Sequence, residues 1–94
     1  MELGTFQELM ARTYGARDSA RGQAATVAWL AEEVGELARA VRKGNADEQL
    51  HELGDVLAWL ASLANQLGLS LDDAAARYAS GCPVCGSIPC ACPG

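Results

Sequence analysis

The sequence predicts an all-α fold: an antiparallel helical hairpin with short flanking helices, completed into a helical bundle by dimerisation, plus a short Cys-rich C-terminal tail. Three observations carry this. Two stretches, from about Gln23 to Lys43 and from about Asn45 to Leu67, space their apolar residues with a helical period and end at Gly44 and Gly68. Only a short connection joins them, which favours antiparallel packing. The second stretch is apolar over more than one stripe, through Val56, Leu57, Trp59, Leu60, Leu63, Ala64 and Leu67. A narrow stripe suffices to pack on one neighbour, so this breadth calls for burial on two sides and hence a second subunit.

The elements follow in order. Thr5-Phe6-Gln7-Glu8 reads as a capping box and Gly15 as a stop, so a short first helix is expected from about Phe6 to Tyr14. Gly15 to Gly22 is expected as a loop containing Arg17, Asp18 and Arg21. The long helix from Gln23 to Lys43 closes at Gly44, with Arg39, Arg42 and Lys43 in its last turns complementing the helix dipole. Asn45 or Asp47 can cap the next, and Ser70-Leu71-Asp72-Asp73 starts a last short helix reaching about Ala79. Residues 1–80 are expected as the helical domain and 81–94 as the tail.

With 94 residues there is room for one small core. Half the residues are apolar, which argues for a folded chain. A formal charge of −5 argues against general nucleic-acid binding. The longest apolar run, Val56 to Ala61, is far too short to span a membrane. The opening Met1-Glu2-Leu3-Gly4 has neither the basic nor the apolar region of a secretory signal, so a cytoplasmic protein is expected.

Two pairs of carboxylates carry the chemistry: Glu33 with Glu36, and Glu52 with Asp55. Residues three apart lie on one helix face. Glu36 is eight residues before Gly44 and Glu52 eight after it, so the pairs meet across an antiparallel hairpin. Four acids gathered in an apolar bundle repel and desolvate unless a cation sits among them. Oxygen ligands of this kind suit Mg²⁺, or Mn²⁺. Trp29 lies four before Glu33 and Trp59 four after Asp55, so each indole shares a face with the acids. Two readings stand for the pair: core anchors, or one of them stacking on a nucleotide base.

The pattern E-E-x-x-E at Glu32 to Glu36 and E-x-x-D at Glu52 to Asp55, flanked by Trp29-Leu30-Ala31 and Val56-Leu57-Ala58-Trp59-Leu60, resembles the MazG-like nucleoside triphosphate pyrophosphohydrolases. The likeness covers roughly Gln23 to Ala79. It implies an all-α dimer or dimer of dimers, and so a homodimer or homotetramer. It also implies Mg²⁺-dependent hydrolysis of an NTP or dNTP to monophosphate and pyrophosphate. Carried over position by position, Glu33, Glu36, Glu52 and Asp55 match the family's metal ligands, and Glu32 the extra acid of the double-Glu motif. Glu32 points about 100° from Glu33 and so suits a base, or a group behind the ligands, better than a first ligand. Hydrolysis at the α-phosphorus is consistent with such a site, because carboxylate-held metal can activate water and neutralise a pyrophosphate leaving group.

Arg39, Arg42 and Lys43 are expected either to reach the triphosphate or simply to complement the helix end. Ser62 and Asn65 face either a sugar or base or a packed helix, and Arg17, Asp18 and Arg21 are candidates for nucleotide selection. His51, in Glu48-Gln49-Leu50-His51, is expected to face solvent, since a carboxylate-bridged di-iron bundle needs that spacing twice. All four cysteines fall in the last thirteen residues. Cys82-Pro83-Val84-Cys85-Gly86 resembles a zinc knuckle, and Cys90 and Cys92 complete the ligand count of a structural Zn²⁺ site. Local disulfides, a redox dithiol or an unmetallated tail are the alternatives. For the whole chain, the rivals are phosphoribosyl-ATP pyrophosphohydrolase and a non-catalytic, zinc-tailed interaction module.

Overall fold

A computed structural model describes residues 1–94. Four helices follow one another: α1 (Leu3–Arg21), α2 (Gln23–Lys43), α3 (Ala46–Leu67) and α4 (Leu71–Ala76). The chain has no strand, and no helix is long and apolar enough to cross a membrane.

The hairpin of α2 and α3 has the expected boundaries. Asn45 caps α3 by accepting a hydrogen bond from the Glu48 N–H at 3.0 Å. Gly44 is required by close approach: a Cβ there would lie 2.8 Å from the Ala40 carbonyl oxygen. At the far end Gly68 is left-handed (φ 67°) and the Leu69 N–H reaches the Ala64 carbonyl at 3.0 Å, closing the helix. Contacts pair the ends of the hairpin: Gln49 Nε2 donates to the Ala40 carbonyl, while Gln23 Nε2 donates to that of Gln66. The helices are therefore antiparallel.

The first helix differs from expectation. α1 starts at Leu3 and runs without a break through Gly15 to Arg21, so the expected loop is helical. No side chain caps its start. Gln7, read as part of a capping box, instead clamps α1 to the α3–α4 turn. Its Nε2 donates to Asn65 Oδ1 (3.0 Å) and the Leu69 carbonyl (2.8 Å), and its Oε1 accepts from the Leu71 N–H (2.8 Å). Gly15 meets nothing within 4 Å of a would-be Cβ, so it weakens the helix on an open surface without stopping it. The break comes at Gly22, whose φ of 87° and ψ of 164° belong almost to glycine alone.

A buried polar knot holds that one-residue junction against α3. Arg21 Nη1 donates to Asp18 Oδ1 at 2.8 Å. Gln66 Nε2 reaches both the Asp18 carbonyl (2.7 Å) and Thr26 Oγ1 (2.9 Å), and the Thr26 hydroxyl donates to the Gly22 carbonyl. α4 is a turn shorter than expected, with tighter turns carrying the chain on to Ala79.

The apolar core is small. Leu3, Phe6 and Met10 of α1 pack on Ala61, Ala64 and Leu71. Only seven of 94 residues are buried, and four of those are apolar, too few to anchor a domain by themselves. On α3, Leu50, Leu53, Leu57, Leu60 and Leu67 remain exposed, as do Val27, Val34 and Val41 on α2. The surplus apolar surface expected on α3 thus extends across both arms of the hairpin at heptad spacing.

Candidate functional site

The acids meet where the geometry of the hairpin puts them. Glu33 on α2 is half-buried, and its carboxyl is held above the usual range. Burial is the largest cause, followed by the charges of Asp55 and Glu52 on α3 and of Glu36 and Glu32 on its own helix. Glu52 and Asp55 are also half-buried, whereas Glu32 and Glu36 are exposed. One Glu52 oxygen, Oε2, is buried with no hydrogen-bond partner. No Lys or Arg pairs with any of these acids; the chain's one Arg–carboxylate pair is Arg21–Asp18, and the only basic side chain that meets one of the acids within 4 Å is His51, at Asp55. A buried, orphaned carboxylate oxygen among mutually repelling acids is a donor set that fits a hard divalent cation.

His51 enters the site in a way that sequence reasoning missed. Its side chain is 70% exposed, as expected, yet Nε2 lies 3.3 Å from Asp55 Oδ2. His51, Glu52 and Asp55 form the tight group, with ligand atoms all within 4.8 Å of one another. Glu33 and Glu36 stand outside that tight group. The spacing of four between His51 and Asp55, which puts both on one helix face, is the sequence signal for this contact.

Two clefts flank the acids. One, of about 270 Å³, lies between the end of α1 and α3, lined by Tyr14, Arg17 and Arg21 opposite Asp55, Trp59 and Ser62. The other, about 520 Å³, lies at the closed end of the hairpin, where Arg39 and Lys43 face Glu36, Glu52 and His51. Arg42 lines neither. Trp29 and Trp59 stack on each other, with centroids 5.9 Å apart and planes inclined by 15°, and the Arg21 guanidinium lies 4.6 Å from the Trp59 ring centroid. Asn65 is engaged with Gln7, its Nδ2 donating to the Gln7 carbonyl at 3.1 Å, so the packed-helix reading holds for it. Ser62 is buried but lines the first cleft.

The four cysteines form a second cluster, with all sulfurs within 4.8 Å of one another, a grouping that could hold a metal ion. All four are free. Backbone N–H groups of Ala91 and Ser87 hold the Cys85 thiol down at about 6, while hydrogen bonding with the thiols of Cys90, Cys82 and Cys85 pushes Cys92 up to about 11.

Residues 21–80 match the family model of the MazG nucleotide pyrophosphohydrolase domain. That span holds α2, α3, α4 and both pairs of acids, and excludes the cysteine tail and all but the last residue of α1. No curated protein matches the chain.

Proposed function

The chain belongs to the MazG nucleotide pyrophosphohydrolase family, and on that premise we propose that it hydrolyses a nucleoside or deoxynucleoside triphosphate, with Mg²⁺, to the monophosphate and pyrophosphate. The observation that carries this is the orphaned Glu52 oxygen beside Asp55 and the destabilised Glu33 carboxylate, with no Lys or Arg in salt-bridge contact with any of them. Glu33, Glu36, Glu52 and Asp55 would hold Mg²⁺, or Mn²⁺ in its place. When bound, the ion supplies activation of water and neutralisation of phosphate charge.

The chain's own groups divide the remaining tasks. Arg39 and Lys43, which line the hairpin cleft, would take the departing pyrophosphate. The cleft lined by Trp59, Arg17 and Arg21 would take the nucleoside. His51 orients Asp55 through its Nε2. Water attacks the α-phosphorus, gives its proton to a carboxylate such as Glu32, and displaces pyrophosphate as the bond to the β-phosphate oxygen breaks. Pairing of the exposed Val and Leu stripes of α2 and α3 makes the active unit a homodimer, or a homotetramer built from two such pairs. A nucleotide substrate suits the cytoplasm.

The test is a panel of NTPs, dNTPs and phosphoribosyl-ATP incubated with the purified chain and Mg²⁺. Monophosphate and pyrophosphate in equal amounts, abolished by Asp55→Asn, are expected. Release of orthophosphate, turnover of phosphoribosyl-ATP alone, or no turnover on any member overturns the proposal.

A further inference from the structure

We propose that Cys82, Cys85, Cys90 and Cys92 bind one Zn²⁺ in an all-sulfur tetrahedral site, and that this ion, not packing against the helices, folds the tail. The site uses different residues from the hydrolase centre and stands or falls apart from it.

The first argument is what the tail lacks. Residues 82–94 contain no helix or strand. Their two large aliphatic side chains, Val84 and Ile88, are 80% and 81% exposed. Every hydrogen bond they make stays within the tail: Cys82 N–H to the Ser87 carbonyl, Gly86 N–H to the Cys82 carbonyl, and the bonds among the cysteines. A segment this short, without buried apolar surface, cannot offset the entropy of ordering itself unless something else holds it. Yet its chain has a defined course that gathers four sulfurs.

Spacing is compatible with a metal ion in that role. With Zn–S bonds of 2.3 Å, a tetrahedron places its sulfurs about 3.8 Å apart. The Cys82 and Cys92 sulfurs are 3.7 Å apart, and those of Cys85 and Cys90 are 4.0 Å apart. Both pairs match the edge of such a tetrahedron. Backbone amides complete the picture: Ala91 N–H points at the Cys85 sulfur (3.3 Å) and Cys92 N–H at that of Cys90 (3.4 Å). Such bonds stabilise thiolates, the form in which cysteine binds metal. Gly86 adopts φ 73°, so the turn after Cys85 is one that a Cβ would strain. Soft sulfur selects Zn²⁺ over Mg²⁺, so the two sites do not compete for one ion. With four sulfurs in place no position remains open for water, which makes the ion structural. Binding releases the thiol protons, and its free energy becomes folding energy of the tail.

The experiment is elemental analysis of the full chain, purified under reducing conditions without chelator, together with Glu33→Gln and Cys85→Ser. One zinc per chain is expected in the wild type and in Glu33→Gln, with loss in Cys85→Ser. Replacement by Co²⁺ should give the intense charge-transfer bands of a tetrahedral tetrathiolate. A thiol reagent should find four slow cysteines that become fast after chelation, while the helical circular dichroism persists. Sub-stoichiometric zinc in the wild type, zinc retained by Cys85→Ser, octahedral cobalt bands, four immediately reactive thiols, intramolecular disulfides, or loss of helix on chelation would each overturn it. Thiol reactivity of the wild type decides the matter even if Cys85→Ser fails to accumulate.

Discussion

Replacing Glu33 by Gln should make the metal-free protein more stable and the Mg²⁺-loaded protein less so. In the absence of metal, Glu33 carries a carboxyl raised by burial and by Asp55, Glu52, Glu36 and Glu32. The folded state therefore binds the proton more tightly than the unfolded one, whose Glu titrates near 4.5. Stability from this group is complete below that ordinary value and is lost as pH rises through the raised folded-state value. Gln abolishes that slope. Relief of the like-charge pair with Glu36 alone is worth about 0.2–0.5 kcal/mol, or roughly 1–4 °C in Tm for a domain of this size. With Mg²⁺ the sign reverses. An ion at 100 times its Kd stabilises a site by about 2.7 kcal/mol, and the variant forfeits much of this with a ligand missing. The assay is thermal unfolding at fixed protein concentration, pH 5 to 8, with and without Mg²⁺, alongside turnover. A variant that melts below the wild type without metal, keeps the full Mg²⁺ shift and hydrolyses nucleotide normally would refute the carboxylate site.

Leu60→Asp, within the exposed stripe of α3, should shift sedimentation from dimer toward monomer and lower solubility or yield; a wild-type chain that is an active monomer at micromolar concentration contradicts the pairing. Gly22→Ala forces a Cβ into φ 87°, ψ 164° and should cost about 1–3 kcal/mol, read as a lowered denaturant midpoint. Arg39→Ala or Lys43→Ala should weaken inhibition by pyrophosphate and raise KM, with unchanged product inhibition counting against the hairpin cleft as the leaving-group site.

The hairpin was legible because its ends are written in local chemistry. Gly44, the Asn45 cap and left-handed Gly68 act within a turn of where they stand. α1 was not, since what extends it is distant in sequence. Asp18 and Arg21 are secured by Gln66 and Thr26, and Gln7 by Asn65 and Leu71, so tertiary bonds override the weak stop at Gly15. The same error hid one wall of the site: read as a loop, Arg17 and Arg21 had no position relative to Asp55 and Trp59, whereas on a helix they line one cleft with them. The acids were legible from their spacing, but their unequal burial was not, because it depends on which arm faces which neighbour.

The turn of Gly44 and Asn45 also limits how this gene can vary. Glu36 and Glu52 stand equally far from Gly44, so their meeting depends on counting residues as much as on residue identity. One codon gained or lost within either helical arm would rotate everything beyond it by about 100° and slide it by about 1.5 Å. The acid on that arm would then turn toward a different neighbour. Lengthening the turn itself would part the arms at the point where the Gly44 N–H closes α2 on the Ala40 carbonyl at 2.8 Å. Away from the acids and Gly44, point substitutions between Glu33 and Asp55 can be absorbed more readily than insertions or deletions, while residues 82–94, whose hydrogen bonds stay among themselves, can change length without disturbing the acids. Length variation among descendants of this chain should therefore accumulate at its end and be absent from the hairpin.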